Sequence, residues 1–115
     1  MPESLIVEIE DEVTAMRFKD PSMLDALAIQ RIGKELSELI ETATTKKVVV
    51  NFDGIRFLSS EALRVLIGLR SKADKAGRKV ALCGIRPDLM RVFQLTNLDK
   101  LFTIFDNVDT AKAKL

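Results

Sequence analysis

The sequence predicts one α/β domain over residues 1–115, in which helices cover a mixed but mostly parallel sheet. Runs of β-branched and apolar residues alternate along the chain with segments whose apolar residues recur every three or four positions. Strands that alternate with amphipathic helices are typical of parallel βαβ units, and the predicted order is β-β-α-β-α-β-α-β-α. A chain of 115 residues is long enough to bury one hydrophobic core.

The opening of the chain predicts an antiparallel hairpin. Apolar and polar residues alternate over Leu5–Glu10 and again over Val13–Phe18, which is the period of a half-buried strand. The polar dipeptide Asp11-Glu12 joins the two runs at the length of a tight turn. This hairpin makes the predicted sheet mixed, because every later strand follows a helix.

A first helix follows the hairpin and runs to about Thr42, but its start is ambiguous in the sequence. Ser22 and Asp25 together resemble a capping box, while Asp25 alone also fits an N-cap. The apolar residues at helical spacing are Ile29, Ile32, Leu36, Leu39 or Ile40, and Ala43.

The stretch that organises the chain is a buried strand, a short loop and a second helix. Lys47–Phe52 is β-branched and apolar through its centre, which suits a strand covered on both faces. The turn dipeptide Asp53-Gly54 ends this strand. A helix is predicted over Ser60–Ala76, and Gly77 fits the glycine that commonly ends a helix.

Ser59 is predicted to be the N-cap of that second helix, because its hydroxyl can accept a hydrogen bond from the first turn. Leu58 and Leu63 then take the two positions of a hydrophobic staple. One interpretation of the serine pair is that it only caps the helix. The alternative interpretation is that a hydroxyl at the positive end of a helix receives an anion or carries a phosphate. The apolar face of this helix comprises Ala62, Leu63, Val65, Leu66, Ile67 and Leu69.

The remaining chain repeats the alternation of strand and helix. Leu89, Val92 and Phe93 form the apolar stripe of the third helix, with Leu95 as a further candidate. The predicted elements are a strand over Lys79–Cys83, a helix from Arg86 to Thr96 with Pro87 in its first turn, a strand over Leu101–Phe105, and a last helix to Leu115 that Asp106 or Asn107 caps.

A family resemblance appears at residues 48–63, Val-Val-Val-Asn-Phe-Asp-Gly-Ile-Arg-Phe-Leu-Ser-Ser-Glu-Ala-Leu. This stretch resembles the central motif of STAS domains, the family of anti-sigma-factor antagonists, in which a hydrophobic strand leads to Asp-Ser-Ser-Gly and an apolar helix. Residues 77–87 resemble the family's next strand-to-helix passage, and residues 92–102 resemble the helix and turn that follow. The resemblance spans nearly the whole chain and implies a STAS-like fold.

The resemblance also implies binding that phosphorylation switches off. In the family, the first serine of the pair is phosphorylated by a kinase that is also the anti-sigma factor, and a separate phosphatase resets it. That serine is Ser59 here, with Ser60 as the alternative register. Met23, Leu24 and Asp25 resemble a stretch that lies beside this serine and contacts the partner. The candidate partner-binding residues are Asp25, Leu58, Ser59, Ser60, Glu61 and Arg86.

Two positions depart from the family motif. Leu58 stands where the family has an acidic residue, and Glu61 stands where it has glycine. A carboxylate at Glu61 suits the start of a helix, but it would repel a phosphate on Ser59. These departures favour an alternative, a constitutive interaction module of a signalling or transport assembly that is not phosphorylated. A sensor that binds small anions at the helix N-termini is a third possibility.

The composition argues against an enzyme or a metal protein. The chain has no His and a single Cys, so Ser59 lacks its usual base and a metal site lacks its usual ligands. The glycines are scattered and form no phosphate-binding loop. Cys83 ends an apolar strand and is expected to pack in the core. We therefore expect no catalytic residue, no cofactor and no metal.

Charge and hydropathy limit the partners further. With a net charge of +1, the chain has no overall field to attract nucleic acid or an anionic membrane. The six Phe lie mostly in apolar runs, which predicts core packing over base stacking. No signal-peptide pattern opens the chain, and no apolar run approaches the ~20 residues of a membrane-spanning helix. We therefore expect a cytoplasmic monomer.

Overall fold

A computed structural model describes residues 4–22 and 25–115 of the chain. The order of strands and helices in it confirms the predicted order, with one 3₁₀ turn added before the last strand. The elements are β1 (Leu5–Glu10), β2 (Val13–Phe18), α1 (Ala26–Thr42), β3 (Lys47–Asn51), α2 (Ser60–Ala76), β4 (Lys79–Cys83), α3 (Pro87–Leu95), a 3₁₀ turn (Leu98–Lys100), β5 (Thr103–Phe105) and α4 (Val108–Lys114).

The five strands form one mixed sheet in the order β1-β2-β3-β4-β5. β1 and β2 pair antiparallel, and each later strand pairs parallel with the one before it. Asp11 and Glu12 connect β1 to β2 with φ angles of 53° and 64°. Positive φ at both central residues is what a tight hairpin turn of type I′ requires. The predicted hairpin is therefore confirmed.

The sheet is covered on both faces, as the apolar run of β3 predicts. Val48 and Val50 belong to a large core that α1, α2 and α3 cover, whereas Val49 belongs to a smaller core that α4 covers. Successive side chains of a strand point to opposite faces, so three consecutive valines serve both cores. The members of the smaller core are Val13, Val49, Ala81, Cys83 and Ala111.

The structure corrects the predicted start of the last strand. Leu98–Lys100 forms a 3₁₀ turn, and the backbone N–H of Phe102 donates to the carbonyl of Leu98 at 3.2 Å. Leu98 and Phe102 are both buried, so a compact turn brings both side chains to the core. The strand therefore begins at Thr103 and not at Leu101.

Two residues assigned to apolar helix faces lie outside the core. Ile67 of α2 is 48% exposed and Leu95 of α3 is 84% exposed. The buried side of α2 consists of Ala62, Leu66, Leu69 and Ala73, which is narrower than the face that the sequence predicts. Within the described ranges, no helix combines the length and the hydropathy that a membrane span needs.

Candidate functional site

Three strand-to-helix junctions meet at the carboxyl end of the sheet. They follow β2, β3 and β4, and these three strands are parallel neighbours. The carboxyl ends of parallel strands lie on the same side of a sheet, and ligands of open α/β sheets commonly bind there. We call these junctions, residues 19–22, 25, 52–59 and 84–86, the carboxyl end. The topology therefore brings Asp25, Ser59 and Arg86 to one side of the sheet.

The loops of the carboxyl end are in close contact. Gly54 has a φ of +84°, and a Cβ atom there would lie 2.8 Å from Cγ of Pro21 in the preceding junction. Gly84 has a φ of +70°, and a Cβ atom there would lie 2.5 Å from Oδ1 of Asn51 and 2.6 Å from Oδ1 of Asp53. Both positions therefore need glycine, for its conformation and for its size.

The loop between β3 and α2 has a defined shape. Oδ1 of Asn51 accepts a hydrogen bond from the backbone N–H of Asp53 at 3.0 Å, and the N–H of Ile55 donates to the carbonyl of Phe52 at 3.0 Å. The side chain of Ile55 is fully buried and anchors the middle of the loop. The residues after this anchor are thereby brought to the surface ahead of Ser59.

Ser59 is the N-cap of α2, as predicted. Its Oγ accepts a hydrogen bond from the backbone N–H of Ala62 at 3.1 Å, and its backbone is extended. Ser59, Ser60 and Glu61 are all exposed at the carboxyl end. The hydroxyl of Ser59 is therefore held by the first turn of the helix, on a residue that is exposed.

Leu58 points a different way from the serine that follows it. Its side chain is half-buried, packs against the large core, and lines an apolar crevice between α1 and α2 together with Ile29 and Val65. Leu63, the other residue of the predicted staple, also packs against the large core. Leu58 thus positions the start of α2, and only part of it is available to a partner.

Asp25 and Arg86 begin the two flanking helices. Asp25 is the N-cap of α1, and its Oδ1 accepts from the backbone N–H of Ala28 at 2.8 Å, which confirms its capping role. Arg86 precedes α3 but makes no side-chain cap bond, and its Nε lies 3.4 Å from Oδ1 of Asp88. Both residues are exposed. Met23 and Leu24, which were expected to join Asp25, lie outside the described residues.

The sequence interpretation missed two apolar side chains at this end. Phe57 was expected to pack in a core, but its side chain is 83% exposed in the loop two residues before Ser59. Leu27, in the first turn of α1, is 72% exposed. An apolar residue in a short loop gives no periodic signal, because a pattern argument needs several successive residues.

The thiol beside the carboxyl end lies in the core. Cys83 is fully buried at the end of β4, and burial together with the nearby charge of Asp53 raises the pKa of its thiol to about 11. A thiol in this state is a poor nucleophile, because the thiolate is the reactive form. Among residues 4–22 and 25–115, no three acidic, His or Cys side chains are grouped to hold a metal ion.

Comparison with known proteins agrees with the topology. The family model for the STAS domain matches residues 4–111. The chain belongs to the STAS domain family. Among curated STAS relatives, the anti-sigma F factor antagonist of Paenibacillus polymyxa is 22% identical over 112 residues, which cover 97% of this chain and 96% of that protein.

Solved structures share the fold of this STAS domain. A STAS domain protein of Planctomyces limnophilus has a TM-score of 0.84 at 21% identity, over 95% of each chain. The phosphorylated form of the Bacillus cell fate determinant SpoIIAA has a TM-score of 0.69 at 20% identity, over 92% of this chain and 93% of that one. At these identities the likeness establishes the single STAS-like domain with its five-stranded mixed sheet.

Proposed function

We propose that this STAS domain is an anti-sigma-factor antagonist that uses its carboxyl end to bind a serine kinase that is also the anti-sigma factor. Binding occurs in the unphosphorylated form, and phosphorylation of Ser59 ends it. The domain is then the substrate of the kinase and of a phosphatase, and it has no catalytic activity of its own. Support comes from the curated relative of Paenibacillus polymyxa, which is an anti-sigma F factor antagonist.

One observation carries this proposal, namely that Ser59, which bears a hydroxyl at the start of α2, is exposed. The hydroxyl is held by the N–H of Ala62 at 3.1 Å, among loops that contact one another. A kinase needs an accessible hydroxyl, and a binding surface needs a rigid frame around it. Bacillus SpoIIAA, which has the same fold, is known in a phosphorylated form.

The switch is electrostatic in this proposal. A phosphate on Ser59 adds roughly −1.5 to −2 charges at pH 7 to a surface that already holds Glu61 and Asp25. A partner that packs against the neutral hydroxyl would have to bury this charge without a counterion. Each ~1.4 kcal/mol lost weakens binding tenfold, so the switch needs no change of fold.

Intact mass measurement and peptide mapping test the modification directly. The protein is purified from its own cells with phosphatases inhibited, and an addition of ~80 Da marks one phosphoryl group. We expect the addition on Ser59. The same addition on Ser60 keeps the switch and shifts its register by one residue, whereas no addition under any growth condition contradicts it.

Three variants test the effect on binding. Ser59→Asp places a charge at the N-cap and should weaken binding of the anti-sigma factor at least tenfold. Ser59→Asn is the matched control, because asparagine caps a helix as well as aspartate does but carries no charge. Ser71→Asp adds the same charge to an exposed position near the other end of α2. Calorimetry measures the affinity of each variant for the anti-sigma factor. Equal affinities of the Asp and Asn variants of Ser59 would contradict the electrostatic switch.

A constitutive interaction module is the second candidate function. It is favoured by Leu58, whose side chain packs against the core where the family motif has an acidic residue, and by the exposed carboxylate of Glu61. In this case Asp25, Ser60 and Arg86 still contribute to the binding surface, but no phosphate is added. Glu61→Gly separates the two functions. Under the switch it should raise the initial rate of phosphorylation by the kinase, because a repelling carboxylate is gone.

A further inference from the structure

The amino end of the sheet contains a cleft that the proposed function does not use. β4 begins at Lys79, whereas β5 begins at Thr103, which pairs with Ala81. The first two residues of β4 therefore extend past the start of β5 and border a cleft of about 350 Å³. Sites that bind small molecules commonly have volumes of roughly 300–1,000 Å³. The cleft is large enough for such a ligand.

Positive charge is concentrated around this cleft. Its lining residues come from α2, the turn that holds Arg78, β4, β5, α4 and Leu115, and four of their side chains are cationic against one side-chain carboxylate. The whole chain has 18 Lys and Arg against 17 Asp and Glu, so this local excess is not a general property of the surface. Walls that carry one sign of charge raise the local concentration of counterions. We define the basic cleft by Arg70, Asp74, Arg78, Lys79, Phe105 and Lys114.

The two arginines of the basic cleft are held by other groups. Nε of Arg78 donates to the carbonyl of Ile40, and its Nη1 donates to the carbonyl of Thr45 at 2.6 Å. Nε of Arg70 donates to Oδ1 of Asp74 at 3.0 Å. A side chain that is already ordered loses less conformational entropy when a ligand binds. The guanidinium of Arg78 is therefore preorganised at the wall of the cleft, whereas Arg70 forms an exposed ion pair with Asp74.

We propose that the basic cleft binds a small polyanion that carries phosphate or carboxylate groups. Guanidinium groups match both kinds of oxyanion, and ammonium groups attract them as point charges. The exposed Lys79 and Lys114 reach the cleft from a strand and from a helix, so they can neutralise two anionic groups of one ligand. Phe105 and Val80 line the same space and would contact an apolar part of it.

Titration of the full chain followed by amide NMR tests this proposal. Inorganic pyrophosphate and citrate are added in separate experiments, with sodium chloride at equal ionic strength as the reference. We expect the amide chemical shifts of Val80 and Thr103 to change with ligand concentration until they saturate. The amide of Ser59 should show no change with the same concentration dependence. Changing Lys79→Gln and Lys114→Gln together should weaken binding at least tenfold.

A matched double variant controls for net charge. Lys34→Gln with Arg91→Gln removes the same charge from exposed sites on α1 and α3, and it should bind as the unmodified chain does. Saturation by pyrophosphate alone assigns a phosphate ligand, and saturation by citrate alone assigns a carboxylate ligand. Saturation by both assigns a general polyanion site. Shifts that never saturate, or equal weakening in the two double variants, would overturn the proposal. Neither result depends on whether Ser59 is phosphorylated.

Discussion

The carboxyl and amino ends of the sheet are built differently, although the same strands and helices form both. At the carboxyl end, neighbouring loops touch, and a Cβ atom on Gly84 would lie 2.5 Å from Oδ1 of Asn51. At the amino end, Gly77 also has positive φ, but nothing lies within 4 Å of the Cβ atom that it lacks. Close loops can present a fixed surface to a protein, whereas open ones leave room for a small ligand.

The largest expected effect tests this difference in packing. Gly84→Ala should lower the free energy of unfolding by about 2–5 kcal/mol. Strain from the left-handed backbone contributes about 1–2 kcal/mol of this loss, and overpacking contributes about 1–3 kcal/mol. Gly77→Ala should cost only the strain, about 1–2 kcal/mol, because its surroundings are open. Denaturant titration measures both losses. Equal losses would mean that the loops of the carboxyl end can move apart at little cost.

The next effect concerns the pH dependence of stability. The Cys83 thiol has a pKa of about 11 in the folded protein, raised by burial and by the charge of Asp53 from a reference value of 9.0. Above pH 9 the unfolded chain loses this proton while the folded chain keeps it, so stability falls as pH rises towards 11. Two pKa units correspond to about 2–3 kcal/mol.

The control for this prediction is Cys83→Ala, which removes the thiol. Lysines also titrate between pH 9 and pH 11, so the informative quantity is the difference between the two proteins. Unfolding free energies measured at several pH values should converge as pH rises, because only the unmodified chain loses the contribution of the buried thiol. Parallel curves for the two proteins would contradict a raised pKa for Cys83.

A smaller effect compares two helix starts within the carboxyl end. Ser59→Ala removes the acceptor that holds the N–H of Ala62 and should cost about 0.5–2 kcal/mol of stability. Arg86→Ala should change stability by less than about 0.5 kcal/mol, because Arg86 makes no cap bond to α3. Chemical denaturation compares the two variants. A loss well above this range for Ser59→Ala would give its side chain a further structural role.

The smallest effect is expected at the amino end. Lys79→Gln and Lys114→Gln should together leave the free energy of unfolding within about 0.5 kcal/mol of its original value, because both side chains are exposed. Denaturant titration in dilute buffer measures this free energy. A large loss would indicate that the basic cleft contributes to stability and would weaken its interpretation as a binding site.

Most of the fold could be predicted because its signals are local. The strands over Leu5–Glu10 and Val13–Phe18 and the cap at Ser59 each depend on a few adjacent residues, and the structure confirms all three. The alternating burial expected along β1 is not found, because Ile9 is 63% exposed. The start of β5 could not be predicted, because Leu98 and Phe102 reach the core only through a turn that tertiary packing selects. The exposure of Phe57 escaped prediction for the same reason, since the anchor Ile55 decides where the loop comes to the surface.

The candidate site likewise has some properties that the sequence predicts and others that it does not. The residue types at Asp25, Ser59 and Arg86 and their positions between strands and helices are readable from the chain, as is the resemblance to STAS domains. The sequence does not predict that these residues are exposed. Nor does it predict the contact between Gly54 and Pro21 or the half-buried side chain of Leu58. These properties depend on distances between segments that are far apart in sequence.

The sequence by itself determined the identity and order of the elements, because hydrophobic period, capping residues and turn dipeptides act over a few positions. Only the tertiary structure decided which surfaces those elements leave open. The basic cleft exists because β5 pairs first with Ala81, so Lys79 lies past the end of its neighbour. Strand register and helix packing are set by the whole core at once, and no short stretch of the chain encodes them.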